Sequence, residues 1–291
     1  MKAVEKVLDA GALLGECPRW HDETAALYWV DSTGPSLNAW QPVTGRIRSL
    51  ALAEEIGSFA FRQSGGMVAA MRSGFVFIDS IESGVITPIV DPETDKPHNR
   101  LNDGRCDAAG RFWAGSIYPP KDRADAWIYS LDGQLECRQM AGPVMTSNGI
   151  AFSPDNTTFY YSDSPERSIY ACEFDLESGS LASRRVFHRF APGEGRPDGC
   201  AVDVDGCYWV ALFAGGKVVR LSPGGIVLEE VEIPAKYPTM VAFGGVDNST
   251  IFVTTCRQAC SEAELLEYPD SGAIFAFEAG VFGMEEYRFA G

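Results

Sequence analysis

The sequence predicts an all-β chain folded as a six-bladed β-propeller, each blade a four-stranded antiparallel sheet. Three observations carry this reading. One aromatic strand pattern recurs six times along the chain. The recurrences are spaced ~40–50 residues apart, as expected for four strands per blade. Helical periodicity is almost absent.

The recurring strands are Ala26–Asp31, Gly74–Asp79, Arg111–Ser116, Thr158–Asp163, Gly206–Ala211 and Thr250–Thr255, each an apolar run with Tyr, Trp or Phe near its centre. The Gly74 strand is the least regular, and its place in the unit can shift by one strand. A third strand follows at Ser36–Trp40, Ala126–Ser130, Ser168–Cys172, Lys217–Leu221 and Gly272–Ala276, with the alternation of half-buried strands. Hairpin chemistry separates them: Ala109-Gly110, Asp132-Gly133 and Asp205-Gly206 supply positive φ at little steric cost, and Ser153-Pro154-Asp155-Asn156 sets a turn. Only Ser261–Glu267 reads as a helical turn. At the ends, Val4–Asp9 and Tyr287–Ala290 are both strand-like, and pairing them in one blade closes the ring and removes a free edge. Six blades account for residues 1–291 as a single domain.

Composition narrows the class of partner. Forty acidic against 24 basic residues leave a formal net charge of −16, a field that repels phosphates and anionic lipid, so neither nucleic acid nor membrane is an expected partner. The first residues lack the apolar run of a signal peptide, and no stretch is long enough to span a bilayer. The eight cysteines are scattered, without a C-x-x-C pair, and several sit inside apolar strands. Reduced thiols in a cytoplasmic protein, a monomer or weak homo-oligomer, are the expectation.

In a propeller, the segments that lead into the innermost strands converge at one mouth of the central channel. Those segments are Gly15-Glu16-Cys17-Pro18, Asn99–Gly104, Thr146–Gly149 and Arg196–Gly199, which bring Glu16, Asn102, Asp103, Asn148 and Asp198 together. Several carboxylates in one pocket of low dielectric call for a compensating cation. With three histidines in the chain, the donors are oxygens, which favour Ca²⁺, Mg²⁺ or Mn²⁺ and accept Zn²⁺ or Fe²⁺. An Asx-Gly pair alone is an ordinary turn, and Asp203-Val204-Asp205-Gly206 is read as one.

At Leu14–Trp20, Asn99–Gly104 with Gly110–Gly115, Ser147–Ser153, Thr158–Asp163 and Arg196–Asp203, the chain resembles the SMP-30/gluconolactonase/regucalcin family of sugar lactonases. The resemblance implies a metal-dependent hydrolase of aldonolactones such as glucono-, xylono- or arabinonolactone. It implies one divalent cation on Glu16, Asn148 and Asp198 and substrate contacts from Arg100 and Asn102. Asp198, a carboxylate at the metal, is the candidate general base. Asp103 is read as a supporting residue or a turn former. Where some members carry a sugar-contacting glutamate, this chain has Tyr118-Pro119-Pro120, so the loop Tyr118–Ala126 is expected to read a different sugar or to read it less tightly. Cys17 replaces a small residue and is read as packing rather than nucleophile. Two alternatives stand beside the lactonase: a propeller hydrolase of other lactones or phosphotriesters, and a calcium-binding regulatory protein.

Overall fold

The computed structural model describes residues 2–291 and contains six four-stranded antiparallel sheets. The first blade runs Gly15–His21, Ala26–Asp31, Ser36–Gln41 and Arg46–Ala51 from the channel outward. The second is Ile56–Phe61, Met67–Met71, Gly74–Ile78 and Ile86–Val90, and the third Arg100–Cys106, Phe112–Ile117, Ala126–Leu131 and Cys137–Val144. The fourth comprises Ser147–Phe152, Thr158–Asp163, Ser168–Phe174 and Leu181–Arg189; the fifth, Arg196–Val202, Tyr208–Phe213, Lys217–Leu221 and Val227–Glu232. The sixth joins Pro238–Gly244, Thr250–Thr255 and Ile274–Glu278 to the N-terminal strand Glu5–Leu8. Helix is confined to a 3₁₀ turn at Asp22–Thr24 and one α-turn at Glu262–Glu267, whose Ser261 and Glu264 form a reciprocal capping box. No helix among the described residues is long and apolar enough to cross a membrane.

Six apolar clusters hold the ring together, one between each pair of adjacent blades. Strand alternation divides each blade between its two neighbours: Tyr208 packs toward the fourth blade, while Trp209 packs toward the sixth. Middle strands are therefore buried on both faces, which explains their unbroken apolar character. Outer strands such as Arg46–Ala51 and Leu181–Arg189 carry charges that discourage pairing with another chain. The eight cysteines are all free.

Two expectations need correction. In the second blade the middle strand is Met67–Met71, and the aromatic segment Gly74–Ile78 is the third strand. Small and flexible side chains fill the middle position there, so Phe75 and Phe77 sit one strand outward. Ring closure also differs in its C-terminal partner: Glu5 pairs with Ala276, not with Tyr287–Ala290. The segment after Ala279 instead crosses the channel mouth opposite Glu16. It bonds through Met284 to Val202 and through Phe289 to Phe61 and Gln63, and Phe289 is fully buried between the second and third blades.

Candidate active site

The predicted residues come together, and the local device that aims them is a register shift. All six inner strands slip against their neighbour near this end of the channel. Glu16 and Asn148 are the last paired residues before their shifts; Asn102 and Asp198 are the first inside theirs. An extra residue in a strand bends it and re-aims side chains, here toward the channel. The sequence expectation set these residues just ahead of the strands; they lie within the strands' first residues. Gly149 adopts φ +58°, and a Cβ there would meet the Tyr208 hydroxyl at 2.2 Å, so only glycine suits the step after Asn148.

Glu16, Arg100, Asn102, Asn148 and Asp198 line one cavity of about 270 Å³. Hydrogen bonds connect its walls. The Arg100 guanidinium donates to Asn102 Oδ1 (2.8 Å), and Asn102 Nδ2 donates to Asn148 Oδ1 (2.7 Å) and Ser147 O (2.9 Å). Asn148 Nδ2 donates to Ser164 Oγ (2.9 Å), which donates to Pro197 O (2.7 Å). The Asn148 amide is thereby fixed at both ends, its oxygen accepting one hydrogen bond and keeping a second lone pair. Arg100 also lies 3.7 Å from Glu55; its ion-pair partner is this carboxylate rather than Asp103.

Electrostatics separate these acids from the structural ones. Asp31 accepts from the backbone N–H groups of Leu13, Leu14 and Gly34. Asp203 accepts from Trp209 and Arg220 and from the backbone of Asp205 and Cys207, as a hairpin anchor. Asp198 is shaped by burial and then by neighbouring charges instead. Burial pushes its carboxyl well above the ordinary range and Asp103 adds to this, against Arg196, Lys121 and Arg100. Glu16 is likewise raised by burial and then by Asp198 and Asp103. Asp103 accepts from Ile150 N–H (3.0 Å) through Oδ2, while Oδ1 is buried with no partner among the described residues.

These features fit a divalent cation: two acids raised by burial and then by neighbouring carboxylates, an orphaned oxygen on nearby Asp103, and an oriented amide oxygen. Among the described residues no three His, Cys, Asp or Glu side chains gather closely enough to hold an ion; Glu16, Asp198 and the Asn148 carboxamide are the cavity residues that could hold one together. Cys17 is fully buried, its thiol pushed up to about 11 by burial and hydrogen-bonded to the Phe59 backbone. That is a packing role. Sequence reasoning missed Lys121 and Arg196, which also line the cavity. Arg196 was legible in part, two residues before Asp198 at the start of an inner strand.

Comparison with known proteins bears on the family and the fold. The SMP-30/gluconolactonase/LRE-like region matches residues 14–257. The chain is 43% identical to the 6-deoxy-6-sulfogluconolactonase of Pseudomonas putida over 96% of both chains. It is 34% identical to regucalcin of Danio rerio over 99% of this chain and 98% of that one. Among solved structures, a calcium-binding regucalcin from Agrobacterium tumefaciens superposes with a TM-score of 0.92 at 26% identity, covering 99% of this chain and 97% of that one. The chain belongs to the SMP-30/gluconolactonase/LRE-like family.

Proposed function

We propose that the protein is a metal-dependent sugar lactonase that opens an aldonolactone to its aldonic acid, with the whole ring acting as one unit. The observation that carries this is the pair of raised carboxylates, Glu16 and Asp198, facing one cavity beside the oriented amide of Asn148. These three residues would hold the cation, and an all-oxygen set suits a hard ion such as Ca²⁺. When bound, such an ion supplies Lewis acidity toward a lactone carbonyl and acidifies bound water. Asp198 accepts the proton of the attacking water as general base. Arg100, oriented by Asn102 and Glu55, donates to substrate hydroxyls. Asn102 spends both amide hydrogens on Ser147 and Asn148, so it acts chiefly by positioning Asn148 and offers substrate its oxygen.

Candidate substrates are glucono-, xylono- and arabinonolactone, joined by the sulfonated gluconolactone in the name of the Pseudomonas relative. Eight free thiols suit a reducing cytoplasm, and a monomer or weak homo-oligomer remains the reading for assembly. A second reading, a calcium-binding protein without turnover, draws on the calcium-binding relative. A lactone panel assayed after chelation and after adding back Ca²⁺, Mg²⁺, Mn²⁺, Zn²⁺ or Fe²⁺ separates the two. Hydrolysis lost on chelation and restored by one ion is the expected result. Calcium binding without hydrolysis of any lactone favours the second reading.

A further inference from the structure

The cavity holds a second pair of like charges that the reaction does not use. Lys121 and Arg196 both line it, on the solvent side of Asp198. Neither belongs to the ion pairs that engage other cations around this mouth, Arg100 with Glu55 and Lys96 with Asp125. The Arg196 guanidinium lies over the Phe213 ring, 5.2 Å from its centroid, a stacking that leaves its N–H edge available.

Lys121 is held in place by its loop. Its backbone sits at φ +53°, a left-handed conformation uncommon for residues other than glycine. Its N–H donates to Tyr118 O at 3.1 Å, and Tyr118 is buried in the cluster between the third and fourth blades. At the loop's other end, Asn99 Nδ2 donates to Asp125 O at 2.8 Å. Desolvation and then the charge of Arg196 lower the Lys121 ammonium from its ordinary value, outweighing the opposing pull of Asp198 and Asp163. In a chain of net charge −16, two cations that line one cavity and make no ion pair among the described residues are the mirror image of the carboxylates at its floor. The floor pair calls for a cation, and the rim pair calls for an anion.

We propose that Lys121 and Arg196 form an anion subsite that selects aldonolactones carrying a negatively charged exocyclic substituent, a sulfonate or a phosphate. This rests on the lactonase reading of the same cavity. The lactone carbonyl faces Asp198, and the charged substituent reaches the rim.

The test compares wild type, Lys121→Ala, Arg196→Ala, the double variant and Lys121→Arg, each loaded with the ion that best supports hydrolysis. Substrates are glucono-1,5-lactone, its 6-deoxy-6-sulfo analogue and its 6-phosphate. Wild type should favour an anionic lactone, and the sulfo and phospho arms identify which. In the double variant the ratio of kcat/KM for that lactone to kcat/KM for the neutral one should fall about ten- to a hundredfold, the worth of one or two charge-assisted hydrogen bonds. The loss should lie mainly in KM, and Lys121→Arg should recover part of it. A ratio unchanged in the double variant, or no anionic preference in wild type, overturns the subsite. Calorimetric binding of 6-deoxy-6-sulfogluconate, 6-phosphogluconate and gluconate to the Ca²⁺-loaded protein decides the matter independently of turnover. Tighter binding of one anionic acid, lost in the double variant, supports the subsite even if no lactone is hydrolysed and the lactonase reading fails. Equal binding of all three overturns it.

Discussion

The two mouths of the channel are built from opposite ends of the same inner strands, and they treat buried charge in opposite ways. At the Glu16 end, carboxylates face one another and cations stand at the rim without partners. At the other end, the segment after Ala279 delivers Glu286 to Arg19 and Arg105. Arg19 also donates to Gly104 O at 2.6 Å, and Arg105 to Ile150 O and Cys200 O at 3.0 and 2.7 Å. Burial alone would raise the Glu286 carboxyl, but the two guanidinium groups outweigh it and hold it below its ordinary value. Charge that is matched stabilises the fold; charge left unmatched in the same channel marks where a ligand completes the molecule.

The comparison breaks most sharply at Asp198. Asp198→Ala should leave a folded protein whose kcat/KM is lower by about 10³-fold, within the range for losing a general base. Stabilisation by added metal, read as a shift in melting temperature, should vanish with it. At the matched mouth the effect should fall on stability instead. Glu286→Gln leaves two buried guanidinium groups uncompensated and should cost about 2–4 kcal/mol by urea unfolding, with turnover retained below the transition. The figure sits toward the low side because the Glu286 side chain is 22% exposed.

Asn102→Ala sharpens the coupling within the open mouth. With Asn148 deprived of its oriented donor, metal affinity should drop about ten- to a hundredfold, the usual cost of losing a residue that orients a ligand. Calorimetric titration with Ca²⁺ measures this directly. The smallest effect concerns pH. Glu16 and Asp198 have native pKa values above their ordinary ones, so the metal-free native state holds protons that the unfolded chain releases. That contribution is present in acid and lost as pH rises through the native pKa values. Without metal, Asp198→Asn should therefore melt above wild type near neutral pH, by about 2–4 °C for each kcal/mol of relieved charge burial and repulsion. The gap should close on acidification and reverse when metal is added.

Much of this was legible in the residues. Six aromatic strands announced six blades because a middle strand, buried on both faces, has no polar alternation to obscure it. That Glu16, Asn148 and Asp198 share one cavity was legible from their equivalent places at the start of successive inner strands, beside glycine in each case (Gly15, Gly149, Gly199); the choice of these three among the mouth residues came from the family resemblance. The second blade misled because Met67–Met71 fills its middle position without an aromatic. Tyr287–Ala290 read as a closing strand because alternating apolar residues look alike whether they pair with an edge or lie across a channel. Lys121 left no local signal, since its place at the rim is set by Tyr118 and Asn99 rather than by any pattern around it.

The outer strand of the sixth blade has a consequence for biosynthesis. Glu5–Leu8 leaves the ribosome long before its partner Ile274–Glu278 is made. Until that strand emerges the earlier one has no place to go, and the sixth blade cannot close. Contacts between such distant residues make folding slow. A chain arrested before Ile274 already carries Glu16, Asn148 and Asp198, but not the closed circle that holds them face to face.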